Sequence, residues 1–136
     1  MSTEAKILKA GQAREGCLGG LGIRFVISGA ESGGGFALIE HVLKPRALAA
    51  PLHRHAHEDE YSFVLQGRLG AKLGDEIVFA GPGDLICKPR DQWHTFWNAA
   101  DEETRLLEII SPPGFDRYFE EMVEISAGGR PDPAPL

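Results

Sequence analysis

The chain has 136 residues, 43% apolar, 25% charged and 8% aromatic, a balance that excludes wholesale disorder and a second domain of ordinary size. Basic residues number 14 against 20 acidic ones, for a formal charge of −6, and no cluster of Lys and Arg exists to displace counterions, so nucleic acid is not an expected partner. No apolar run approaches the roughly 20 residues that cross a bilayer, and no basic segment leads into an apolar one at the start, so a cytoplasmic protein away from membranes is expected.

Residues 21–28 read as a strand, broken by the glycine-rich stretch 29–35. Residues 36–43 form the next strand, ended by Lys44-Pro45, and 47–52 make a further extended segment before the cluster at 53–57. Strands follow at 60–65, closed near Gln66-Gly67, and at 68–73, closed by the hairpin signal Gly74-Asp75. Residues 76–80, 84–88, 93–98 and 104–110 complete the series. Many short strands with turn residues between them predict a β-sandwich or barrel. The pattern changes once, where Phe115, Tyr118, Phe119, Met122 and Val123 fall on one face of a helix predicted over about 113–126. Ser111 is placed to cap it, Pro112 and Pro113 suit its first turn, and Gly128-Gly129 end it. The reading is a helix that covers an open end of the β core rather than a lid or dimer arm. The stretch 128–136, with three prolines and little to bury, is expected to be a mobile tail. Cys17 and Cys87 are far apart and read as unpaired thiols.

Three of the five histidines stand in His53-Arg54-His55-Ala56-His57-Glu58-Asp59-Glu60. On an extended strand His53 and His55 share a face, Glu60 follows a short bend, and His94 comes from a separate strand. Three imidazoles and a carboxylate, without a thiolate, suit one divalent transition metal such as Fe, Mn, Ni, Cu, Co or Zn. His57 falls outside this set and reads as exposed or supporting, and His41 as a core or surface histidine.

These residues resemble the two motifs of the cupin superfamily. The first, G(X)5HXH(X)3–4E(X)6G, is matched by His53, His55, Glu60 and Gly67, with Ala47 at the leading glycine position. The second, G(X)5PXG(X)2H(X)3N, is matched by Gly83, Pro89, His94 and Asn98, with Asp91 in place of the inner glycine. The resemblance implies an all-β double-stranded β-helix, the cupin jelly-roll barrel, with a short C-terminal α-helix. It implies one cupin domain over 1–127 with its core at about 36–111. It also implies His53, His55, Glu60 and His94 as metal ligands, with Glu60 the catalytic residue as ligand or base.

Strand parity extends the picture. If Glu60 faces inward, so do Ser62 and Val64; if His94 does, so do Phe96 and Asn98, and these four are the expected pocket residues. Tyr61, Phe63, Leu65, Trp93 and Trp97 then face outward and need covering, which predicts a homodimer. Lys88, Arg46 and Arg90 read as too scattered for a phosphate site. The resemblance to cupins implies a metal-dependent, dioxygenase-like enzyme of the quercetin dioxygenase type, acting on a small organic molecule. Alternatives are an isomerase or decarboxylase on the same ligands, or a non-catalytic ligand-binding module with a structural metal.

Overall fold

The computed structural model describes residue 5 and residues 7–127; the expected tail at 128–136 lies outside the described residues. Nine strands follow a 3₁₀ turn at Ala10–Gln12: β1 (Arg14–Leu18), β2 (Leu21–Ile27), β3 (Ala37–Leu43), β4 (Asp59–Gln66), β5 (Leu69–Leu73), β6 (Glu76–Ala80), β7 (Leu85–Lys88), β8 (His94–Asn98) and β9 (Thr104–Ser111). Helix α1 spans Phe115–Ala127. Every pairing is antiparallel, in a six-stranded sheet of order β1-β2-β3-β9-β4-β7 and a three-stranded sheet of order β6-β5-β8. This is the expected jelly roll with its short C-terminal helix.

Alternation builds the interior. Along β3 and β9 every second residue is buried, and Ile39, Leu43, Val64, Leu69, Leu106 and Ile110 meet there at 0–1% exposure. Burying such side chains contributes about 1.5–3 kcal/mol each. Gly74-Asp75 makes the two-residue turn that sets the register of β5 on β6, with Leu73 opposite Glu76.

Three details differ from the sequence reading. Strand β1 carries no apolar alternation, because it is an edge strand with much of its surface in solvent. Residues 47–52 form no strand: they join the sheet by the single bridge Leu48↔Trp97 and by the Thr95 hydroxyl, which donates to the Ala50 carbonyl. Ser111 does not cap the helix: it extends β9 opposite Asp59 and donates its hydroxyl to the Gly35 carbonyl at 2.9 Å, so α1 starts at Phe115.

Helix α1 lies against β1, and the closeness has a cause in sequence. A Cβ on Gly16 would sit 2.1 Å from Cγ1 of Val123, so only glycine admits the helix at this height. The apolar face of α1 delivers Phe119 into the core at 7% exposure, with Phe115 and Tyr118 stacked beside it at 5.0 Å and 14°. The helix therefore closes one end of the barrel. Among the described residues no helix is long and apolar enough to cross a membrane.

Candidate metal centre

The two neighbouring histidines are held without a strand. His53 forms an isolated bridge with His94, each backbone N–H donating to the other's carbonyl at 2.9 and 2.8 Å. His55 is fixed by its carbonyl, which accepts the Asp91 N–H at 2.7 Å. Asp91 has φ 64°, the left-handed conformation for which the motif ordinarily keeps a glycine and which Asp tolerates. Gly67, at the other motif end, has φ 86°, and a Cβ there would lie 2.2 Å from Oγ1 of Thr104. The loop geometry thus survives the aspartate, and His55 keeps its place.

His53, His55, Glu60 and His94 come together, all buried, with ligand atoms within 4.8 Å of one another. Two donors at about 2.0–2.2 Å from one ion are at most about 4.4 Å apart, so small side-chain shifts, inward for the widest pair and outward for the closest, seat a cation. The Pro51 carbonyl accepts from His53 Nδ1 at 2.7 Å and the Gln92 carbonyl lies 3.3 Å from His94 Nδ1. A carbonyl can only accept, so the Nδ1 atoms carry the protons and the Nε2 lone pairs are free. His55 Nε2 approaches Glu60 Oε1 to 2.5 Å and His94 Nε2 lies 3.6 Å from it. Yet these three buried atoms have no hydrogen-bond partner. Facing lone pairs left in this way are costly, and a cation is what satisfies them; the donor set fits the group.

Electrostatics favour the same outcome. Burial holds the His53 imidazole down at about 4, with His94 and His55 adding to the effect, so the ring stays neutral and available. Burial alone would raise the Glu60 carboxyl, but Lys88 and the imidazoles of His55 and His94 outweigh it and hold it well below the carboxylate range.

The structure also shows what parity arguments had passed over. Lys88 is among the largest fully buried side chains. Its ammonium donates to Glu108 at 2.6 Å, lies 3.9 Å from Glu60 and sits 4.1 Å from the centre of the Phe96 ring. Ser62 donates to the other oxygen of Glu108 at 2.6 Å. Burial pushes the Glu108 carboxyl well above its ordinary range, and the Glu60 charge adds to this, while Lys88 offsets only part. Register carried the signal: Glu60 stands opposite Lys88, and Ser62 opposite Glu108. Arg46 and Arg90, by contrast, pair outward with Asp101 and Asp59.

Ser62, Val64, Phe96 and Asn98 face the interior and are buried at 0–5% exposure. None lines the open cavity beside the metal centre. Asn98 instead ties loops together, its amide donating to the carbonyls of Leu43, Lys44 and Glu102 at 2.7–3.1 Å. The cavity, about 420 Å³, opens at the barrel mouth and is lined by His53, Arg54, His55, Trp93, Phe115 and Tyr118. Space inside the barrel is taken by Phe96, Phe119 and the Lys88–Glu108 pair. His57 is exposed, and His41 is a core residue at 0% exposure.

A family model for the cupin domain matches residues 39–110, more than half of the chain. The chain belongs to the cupin family. The barrel is similar to solved cupin structures: KdgF from Halomonas sp., at 16% identity with 84% of this chain and 99% of that one covered and a TM-score of 0.73; an RmlC-like cupin from Shewanella frigidimarina, at 17% identity, 86% and 99% covered, TM-score 0.70; and a sugar phosphate isomerase of the cupin superfamily from Silicibacter pomeroyi, at 22% identity, 78% and 75% covered, TM-score 0.68. At such identities the likeness concerns the fold. A curated protein, polyketide synthase CurC of Streptomyces cyaneus, is 33% identical over 60 residues, 44% of this chain and 39% of its own length. This cupin therefore spans well under half of that relative.

Proposed function

We propose that this cupin is a metal-dependent, dioxygenase-like enzyme acting on a small organic molecule that enters through the barrel mouth. The observation that carries the reading is the buried, unpartnered donor set His55 Nε2, His94 Nε2 and Glu60 Oε1, beside which an open cavity ends. A structural metal needs no adjoining cavity; a catalytic one needs access for substrate. The partial likeness to a protein of polyketide synthesis agrees with a small organic substrate.

His53, His55, Glu60 and His94 would hold the ion. When bound, a divalent transition metal supplies Lewis acidity, lowering the pKa of a coordinated hydroxyl, and oxygen chemistry where it is redox-active. Glu60, kept ionised by Lys88, is the group placed to accept a proton from an incoming hydroxyl. Phe115, packed against the rings of His53 and His55, keeps water from that side of the imidazoles, which strengthens charge interactions within the centre.

The test is elemental analysis of untagged protein together with turnover of phenolic and diketone compounds in air and without it. About one equivalent of metal is expected per chain, with oxygen-dependent turnover that Glu60→Gln and His94→Ala abolish while the fold persists. Turnover that persists without oxygen would assign an isomerase or decarboxylase. Loss of thermal stability in these variants with no turnover in the native protein would assign a structural metal.

A further inference from the structure

The cavity at the mouth has a composition unlike the rest of the surface. Phe115 and Tyr118 form one wall, their rings nearly parallel at 14° and 5.0 Å apart. Trp93, 50% exposed, forms another, with the Arg54 guanidinium 5.2 Å from the centre of its ring. The inner end is made by His53 and His55, against which Phe115 lies at 6.3 Å stacked and 4.2 Å edge-on. The half-buried and exposed aromatic surface that remains around this one opening favours a flat, π-rich guest, since ring pairs add about 0.5–1.5 kcal/mol beyond area burial.

Arg54 decides the charge of that guest. Among the described residues no carboxylate pairs with Arg54, a state it shares with Arg68 and Arg117, whereas Arg14, Arg24, Arg46, Arg90 and Arg105 each have one within 4.0 Å; of the three, Arg54 alone lines this cavity. In a chain of net charge −6, an unpaired guanidinium on a cavity wall attracts an anion, and its fork matches a carboxylate in two-point contact. A phosphate is less well served, because among the described residues Arg54 is the cavity's only Lys or Arg. The volume of about 420 Å³ lies at the small end of ligand sites, with room for a bicyclic ring system.

We propose that the mouth of the barrel binds a planar aromatic carboxylate, its rings between Trp93 and the Phe115–Tyr118 wall and its carboxylate on Arg54. The opposite edge of the ring system then points at His53 and His55. This names the substrate class of the enzyme proposed above and rests on that reading only for what happens at the inner end.

The test uses the full chain, loaded with metal and stripped of it, and three probes: 2-naphthoate, its methyl ester and the fully saturated bicyclic acid. Titration calorimetry should show 2-naphthoate bound at least about tenfold more tightly than either of the others, the size expected from one charge-assisted pair or one set of ring contacts. Arg54→Met should erase the preference for acid over ester and leave aromatic over saturated; Trp93→Leu should do the reverse. Both side chains are exposed, so melting temperature and metal uptake should match the native protein. Equal binding of the three probes, or preferences that survive both substitutions, would overturn the proposal. Metal uptake measured in parallel separates the two readings: a chain that takes no metal yet keeps both preferences refutes the enzyme reading alone.

Discussion

His41 is the residue whose surroundings disagree most with its chemistry. It is fully buried, with its ring 5.4 Å from Phe119 and 6.1 Å from Phe96, and beyond an approach to the Gly22 backbone neither nitrogen has a hydrogen bond of normal geometry. Burial first, then the Lys88 charge, lowers its imidazole to about 4, with the Gly22 backbone offsetting only part. A depressed folded-state pKa means that the unfolded chain takes up the proton first as pH falls. Stability is therefore complete above about pH 6.5 and declines toward pH 4, by about 3 kcal/mol for this one group. His53, also held at about 4, adds to the same slope in metal-free protein. Urea unfolding of metal-free His41→Met across pH 4–7 should thus show a clearly shallower acid slope than the native protein. At pH 7 the variant should be as stable as the native protein or more so, since two unsatisfied ring nitrogens are removed. An unchanged slope would mean that His41 is protonated in the folded state.

At the scale of elements, the seat of α1 on β1 is the sharpest case. Gly16 gives the helix its height, and a methyl group there would meet Val123 at 2.1 Å. Gly16→Ala should cost about 1–3 kcal/mol by overpacking, read as a lower urea midpoint with the m-value preserved. Val123→Ala in the same chain should recover most of the loss, because the clash is with that one side chain. Two additive losses in the double variant would show that β1 and α1 do not meet there. Helix α1 also carries Phe115 and Phe119 to the barrel end, so a looser seat should weaken ligand binding at the mouth along with stability.

For the whole molecule, the outer face of the six-stranded sheet is the surface to explain. Leu85, Phe63 and Leu107 stand in one row across β7, β4 and β9, with Cys87, Tyr61 and Ile109 in another. Leu85 is 53% and Phe63 37% exposed. Trp97, also outward, meets Phe79 edge-on at 6.4 Å, and Trp93 belongs to the cavity, so β4 and β7 hold the uncovered part. We propose that a second copy covers this face. The two rows carry no charged side chain, so two such faces meet across a twofold axis without opposing like charges. Light scattering should give twice the chain mass, and Phe63→Lys should give a single chain mass with the metal site intact. A native protein that remains monomeric at high concentration would remove the proposal.

Alternation along the chain was enough to point to a β-sandwich or barrel with a terminal helix, and the resemblance to the two cupin motifs added the jelly roll and the four candidate ligands. Side-chain parity follows from local backbone geometry, and the four ligands sit in two compact motifs. His53 and His55 nonetheless meet through a bridge and a loop held by Asp91, which no local pattern states. Tertiary structure alone decided the rest. Lys88 and Glu108 became interior because of which strands pair, and Asn98 was drawn from the pocket by the carbonyls of distant loops. The barrel filled with Phe96 and Phe119, so the open space moved to Arg54 and Trp93 at the mouth. Most of these depend on contacts between residues 20 to 60 positions apart, and the volume left between packed side chains is set only when all of them have been placed.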